Sequence, residues 1–249
     1  MSYFDILVYV WIALALGTFV SLFWVTAPFG RHTSDSWGPT INARLAWCLM
    51  EIPSPLVLSI FLFSSTTTPT TPVWIFWGLW MVHYINRSFI YPLRQRDVKK
   101  RMPVMIMGSA IFFNLMNGGI NGYFLGYLAT HDQTWLSDPR FIIGLSLFII
   151  GMVINWQSDN ILLNLRKPGE TGYKIPHGGF FRYISCPNLF GEVIEWFGFA
   201  LMIFSLPALS FALWTFANLV PRALAHHQWY LKKFENYPSQ RKAVFPFLW

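Results

Sequence analysis

The fold the sequence predicts is an all-α membrane protein, a seven-transmembrane helix bundle with its N-terminus outside and its C-terminus cytoplasmic. Three observations carry that expectation. Charged residues are only 12% of the 249 and hydrophobic ones are 54%, about half the charge fraction of a soluble domain. Mean hydropathy is +0.42, and apolar runs recur at membrane-spanning length along the whole chain. The Lys and Arg residues gather in alternate connections between those runs, which sets an orientation.

The runs fall near residues 6–27, 45–64, 73–93, 103–128, 141–164, 188–204 and 207–231. The first follows a start without Lys or Arg and without a clear cleavage site, so it reads as a retained helix and not a signal peptide. The connection at 64–72 (S-S-T-T-T-P-T-T-P) is uncharged, as suits an outer turn. Residues 165–187 form the longest polar connection, with turns expected at Pro168–Gly169 and Gly178–Gly179. The last two runs are separated only by Ser205–Leu206–Pro207. With seven spans, the odd-numbered connections and the C-terminus share one side, and every one of the 18 Lys and Arg residues except Arg140 lies there. That side is then the cytoplasm. A six-span count would strand the C-terminal cations outside.

The same clustering at helix ends explains the net charge of +7 without a nucleic-acid partner. Cys48 and Cys186 lack a C-x-x-C spacing or neighbouring metal ligands, so both are expected as buried free thiols with no metal site. With no soluble domain, linker or repeat, residues 1–249 read as a single transmembrane domain, monomeric by default.

Polar residues within the apolar runs are the functional signal, because such groups are costly in a membrane and usually mark a site. Asn155 and Asp159 stand four apart and share a helical face; Asn188 and Glu192 repeat the spacing after the loop. Arg222, His226 and Tyr230 make a third stripe, a cation, an imidazole and a phenol suited to a phosphate and an aromatic ring. Arg87 and Tyr91 form a similar pair. Glu51 lies about 10 Å along its helix from Arg44, and Tyr84 and Asp159 lie about 15 Å from the basic ends of theirs, at about 1.5 Å per residue. All are expected in the cytoplasmic half, open to one cavity that holds a polar cofactor. Plainer readings exist for each: helix-to-helix glue for Asn155 and Asp159, interfacial anchoring for Arg222 and Tyr230, and ordinary packing for Tyr84. Glu195 and His83 read as structural. Neither a G-x-G-x-x-G turn, nor a phosphate loop, nor an H-E-x-x-H helix is present, so a dinucleotide would not be held by a Rossmann domain.

Three stretches bear a resemblance to a known family: M-V-H-Y-I-N-R-S-F-I-Y-P, then L-R-K-P-G-E-T-G-Y-K-I-P-H-G-G-F-F-R-Y-I-S-C-P-N-L-F-G-E-V-I-E-W-F-G-F-A, and the terminal H-H-Q-W-Y-L-K-K-F-E-N-Y-P-S-Q-R-K-A-V-F-P-F. The chain resembles the membrane steroid 5α-reductases (3-oxo-5α-steroid 4-dehydrogenases) from its second span onward. The resemblance implies a seven-helix enzyme that reduces the Δ4 double bond of 3-oxo steroids with NADPH. It implies Glu51 and Tyr84 as catalytic residues, with Trp47 beside the steroid. As NADPH contacts it implies Asn155, Asp159, Arg166, Tyr173, Asn188, Glu192, Arg222, His226 and Tyr230, with Arg87 and Tyr91 as further ones. Met50 departs from the glutamine of well-known members, which bears on substrate preference more than on the reaction.

The chemistry fits these residue types. Hydride addition to the β-carbon of an enone builds negative charge on the carbonyl oxygen, and a donor such as Tyr84 lowers that barrier most where water is excluded. Glu51 would assist as the neutral acid, which burial favours, or by orienting Tyr84. Two other readings remain open here: an isoprenylcysteine-type membrane methyltransferase using S-adenosylmethionine, and a non-enzymatic sterol or lipid carrier. The membrane would be the bacterial inner membrane or the endoplasmic reticulum, with the steroid entering from the bilayer and the active site facing the cytoplasm.

Overall fold

Helices occupy all seven apolar runs of the computed structural model, which describes residues 1–32, 37–166, 170 and 172–247. The expected Pro168–Gly169 turn and Lys167 lie outside the described residues. The first run is α1 (Tyr3–Ser21); the second is α2 (Ala43–Glu51) and α3 (Pro53–Ser64). The third is α4 (Thr71–Ile85), a π-helical turn at Asn86–Ile90 and the short α5 (Tyr91–Arg94). α6 (Val104–Tyr123) ends in a second π turn, Phe124–Leu128, and is followed by α7 (Pro139–Asn164), α8 (Pro187–Ile203) and α9 (Leu206–Lys233).

Among the described residues, five helical segments are long and apolar enough to cross a membrane: Tyr3–Ser21, Ala43–Ser64, Val104–Leu128, Pro139–Asn164 and Leu206–Lys233. α8 has 17 residues, short of the roughly 20 that span a bilayer upright. The exposure pattern is that of an integral membrane protein. On α7 the outward side chains are Ile142, Ile149, Ile150 and Val153, whereas Asn155, Ser158 and Asp159 are buried.

The all-α expectation needs one amendment. Thr40–Asn42 (β1) and Arg101–Pro103 (β2) pair antiparallel. The pairing continues as two helix caps: the Ala43 N–H donates to the Lys100 carbonyl and the Val104 N–H to that of Pro39, each at 2.9 Å. First-turn N–H groups have no intrahelical partner, so these three-residue strands complete the starts of α2 and α6. Cys48 is also only half-buried, unlike Cys186; both are free thiols.

The chain divides into two compact units, residues 27–141 and residues 1–26 with 142–249. In the first, α6 lies on α3 through glycines four residues apart. A Cβ at Gly118 would stand 2.6 Å from the Ser54 carbonyl oxygen, at Gly122 2.7 Å from Leu58 Cα, and at Gly126 2.6 Å from the Phe61 carbonyl oxygen. Small residues at this spacing let membrane helices approach backbone to backbone. At the α2–α3 junction, Pro53 and Pro55 lack the N–H that would continue the helical ladder.

In the second unit, α7 and α8 touch through glycines spaced by seven. A Cβ at Gly144 or Gly151 would fall 2.4 Å from the backbone nitrogen of Met202 or Glu195, and one at Gly191 or Gly198 would fall 2.6 or 2.5 Å from that of Asn155 or Phe148. α8 turns into α9 at Phe204, whose φ of 52° is left-handed; Ser205 caps α9 by accepting from the Ala208 N–H. Trp196 packs on Phe211 with ring centroids 4.2 Å apart. α1 lies along α9, where Trp214 Nε1 donates to the Trp11 carbonyl at 2.9 Å.

Gly151→Ala is expected to lower stability by about 1–3 kcal/mol, the usual cost of overpacking. Gly17→Ala, where nothing lies within 4 Å, should be neutral or gain up to about 1 kcal/mol of helix propensity. Thermal unfolding of the two variants in detergent checks the contrast, and equal shifts would remove the backbone contact as the reason for glycine at 151.

Candidate active site

The predicted site residues form two groupings, one in each unit. In the first unit they surround the end of α2 and the π turn. Tyr84 is buried on α4, its ring stacked on Trp80 at 5.3 Å. Its hydroxyl donates to Asn114 Oδ1 at 3.2 Å. Asn114 Nδ2 donates to the Met50 carbonyl at 2.6 Å and points at Glu51 Oε2 at 3.4 Å. The two residues expected to be catalytic thus share one bridging side chain, on a helix that the sequence reading passed over.

Beyond Tyr84 the π turn carries Arg87 and delivers Tyr91. Such wide turns recur at functional sites because they re-aim side chains within a helix. The Arg87 guanidinium lies 4.9 Å from the Trp47 ring and 5.1 Å from the Tyr91 ring, and the two rings meet edge to face at 6.0 Å. Trp47, Arg87 and Tyr91 therefore form one cation–aromatic stack. Next to it, Arg44 donates to the Gln95 carbonyl.

In the second unit, the two amide–carboxylate pairs meet as the spacing predicted. Asn155 Nδ2 donates to the Asn188 carbonyl at 2.9 Å and reaches Glu192 Oε2 at 3.5 Å. Asn188 Nδ2 donates to Asp159 Oδ1 at 3.1 Å. Asn155 and Asp159 are buried and Asn188 and Glu192 half-buried, so carboxylate acceptors and amide donors form one connected polar cluster. It sits where the glycines bring the α7 and α8 backbones together.

Arg166 and Tyr173 lie on the connection that follows α7. Arg166 Nη1 donates to the Gly172 carbonyl at 3.1 Å, and its guanidinium stands 5.9 Å from the Tyr173 ring. Tyr173 in turn meets Trp229 of α9 edge to face at 4.8 Å. Arg222, His226 and Tyr230 follow one face of α9 at four-residue intervals. The first two are half-buried, whereas Tyr230 is 2% exposed and stacks on Tyr237 at 5.1 Å.

A hydroxyl network behind this face was not foreseen. Ser185 Oγ lies 2.6 Å from His227 Nδ1 and 2.7 Å from the Tyr237 hydroxyl. The Ser185 N–H donates to the Lys242 carbonyl and the Cys186 N–H to that of Ala243. Residues 183–186 are thereby fastened to residues 242–243, directly before α8. The sequence signal was the close succession of Ser185, Cys186 and Pro187 ahead of the helix, which carries no periodicity.

The residues of the second unit suit a dinucleotide. Guanidinium groups and an imidazole match phosphate oxygens, the exposed ring of Tyr173 matches a base, and the amide–carboxylate cluster matches a carboxamide and ribose hydroxyls. Among the described residues no group of three His, Cys, Asp or Glu could hold a metal ion.

A family model described as 3-oxo-5-alpha-steroid 4-dehydrogenase matches residues 100–249. The 3-oxo-5-alpha-steroid 4-dehydrogenase 1 of Macaca fascicularis is 45% identical over 223 residues, 88% of this chain and 84% of the relative. The Bos taurus protein of the same name is 43% identical over 249 residues, 98% and 96% of the two chains. The steroid 5-alpha-reductase DET2 of Gossypium hirsutum is 43% identical over 242 residues, 95% and 93%.

Proposed function

Because the chain belongs to the 3-oxo-5α-steroid 4-dehydrogenase family, we propose that it reduces the Δ4 double bond of 3-oxo-Δ4 steroids to the 5α products. Full-length relatedness to enzymes of that name is the observation that carries the activity. The arrangement of Tyr84 and Glu51 supports the roles assigned below.

NADPH, when bound, supplies the hydride that goes to C5. Asn155, Asp159, Asn188 and Glu192 would hold its carboxamide and ribose, and Arg166, Arg222 and His226 its phosphates. Tyr173 would flank a ring, Tyr230 would back the site from its stack on Tyr237, and Arg87 and Tyr91 would be further contacts. The residues around the steroid act on its 3-keto oxygen, where negative charge develops. Tyr84 holds a proton on its hydroxyl and presents it to that oxygen. Glu51 orients the same end of the substrate and, as the neutral acid, adds a second donor. Trp47 and the buried rings around Tyr84 keep water away, where such donors act most strongly. The C4 proton then comes from water.

In the same reading the seven helical segments are seven crossings, with the N-terminus outside and the C-terminus and active site on the cytoplasmic side. The ends of α7 agree with that sense. Arg140, the one cation on the outer side, is matched by Asp138 through two hydrogen bonds of 2.9 and 2.7 Å. That guanidinium holds the half-buried Asp138 carboxyl down to about 2, so the pair stays ionised throughout the physiological range. The protein is one domain and a monomer in the bacterial inner membrane or the endoplasmic reticulum.

The test is NADPH oxidation by purified protein given progesterone, with the product identified by mass. A gain of two hydrogens at the 4,5 bond is expected. Neither turnover nor NADPH binding would reject the proposal and bring S-adenosylmethionine forward. Tyr84→Phe and Glu51→Gln are expected to lower kcat by about 10²–10³, the range for removing one such donor, with NADPH affinity unchanged. Arg166→Ala and Asn188→Ala should instead weaken NADPH binding about tenfold or more, as loss of a hydrogen bond to a charged or buried group does. Fluorescence titration of NADPH separates the two classes, and a reversed pattern would overturn the assignments.

A further inference from the structure

Asn114 is buried at 4% exposure and spends both ends of its amide on the two residues assigned to the carbonyl chemistry. Its orientation is fixed by chemistry. The Met50 carbonyl can only accept, so Nδ2 must face it, and Oδ1 is left for Tyr84. Tyr84 must then be the donor in the 3.2 Å bond between them. The Met50 carbonyl lies between those of Leu49 and Glu51, whose helical donors Pro53 and Pro55 cannot supply. Asn114 therefore has a backbone anchor at 2.6 Å and holds the phenol from that anchor. Its remaining amide hydrogen points to Glu51 Oε2, so any proton on a neutral Glu51 is directed to Oε1.

We infer that Asn114 is a positioning residue for the reaction, holding the Tyr84 hydroxyl and its proton in place through the Met50 carbonyl. The inference rests on the roles given above to Tyr84 and Glu51. When a ketone oxygen arrives, Tyr84 exchanges one acceptor for another by rotation of its O–H, and no proton leaves the site. The stacking of Trp80 on the Tyr84 ring restricts the ring but leaves the O–H rotor free. Asn114 sets where that rotor starts, and its amide, anchored on Met50, stays beside the phenol oxygen once the O–H has turned to the ketone. A displacement of about 1 Å of a reacting group costs on the order of 10² in rate, so a loosened phenol is visible kinetically.

The experiment is a double-mutant cycle on kcat for progesterone with saturating NADPH, using Asn114→Ala, Tyr84→Phe and the pair, with NADPH Kd measured fluorimetrically on each. A residue acting through Tyr84 gives strong coupling. Asn114→Ala is expected to lower kcat about 10- to 100-fold in the parent and less than about threefold when Tyr84 is already phenylalanine. The same fold-loss in both backgrounds is what a purely structural asparagine produces, and it would overturn the inference. A parent-like kcat for Asn114→Ala would do so as well. If Tyr84→Phe alone keeps parent-like turnover, the catalytic assignment of Tyr84 falls and the inference falls with it, a result distinguishable from the previous two. Should Asn114→Ala not fold, Asn114→Leu replaces it in the cycle. It keeps about the volume but can neither accept from Tyr84 nor donate to Met50, and the same two outcomes decide.

Discussion

Backbone contact between α7 and α8 is what the polar cluster of the second unit depends on. Gly144, Gly151, Gly191 and Gly198 leave no Cβ at points where one would collide with the facing main chain. Only with the helices that close can an Asn155 amide reach a main-chain carbonyl of α8 and an Asn188 amide reach Asp159. The membrane supplies little hydrophobic drive between helices, so such packing and the interhelical bonds it permits do the work of association. The polar residues are held by a contact that is itself apolar.

A parallel logic runs through the first unit. Gly118, Gly122 and Gly126 seat α6 against α3, which places Asn114, one turn earlier on α6, beside the α2–α3 junction. There the Met50 carbonyl accepts from the Asn114 amide. Helix proximity and a single amide combine to bring a buried phenol and a half-buried carboxyl group together. In each unit a glycine stripe comes first, and the hydrogen bonds follow from it.

The sequence made some of this visible and hid the rest for physical reasons. Asn155, Asp159, Asn188 and Glu192 were legible because polar residues four apart stand out in an apolar run, and their spacing alone implies a shared face. Arg87 and Tyr91 were legible in the same way, although the π turn between Tyr84 and Tyr91 has no pattern that announces it. Asn114 was not, because Asn117 and Asn121 share its helix and a lone amide in such a run reads as packing until its partners are known. The seven-residue glycine spacing of α7 becomes meaningful only once the matching spacing of α8 is set against it. β1 and β2, at three residues each, are too short to show an alternating period. The half-exposure of Cys48 depends on neighbours distant in the chain.

The π turn at Asn86–Ile90 has an evolutionary corollary. A π turn accommodates one residue more than an α-helix would over the same rise, so it is the lasting mark of an inserted amino acid. Deleting one residue there would return the segment to α geometry over the same rise, so the helix on either side would keep its direction while the side chains inside the turn are re-aimed. Arg87, inside the turn, would leave its stack with Trp47 and Tyr91, while Tyr84, upstream of the turn, would keep its place. The phenol and the cation–aromatic stack are thus mechanically separable parts of one helix. Descendants of this chain can lengthen, shorten or re-aim the second without disturbing the first.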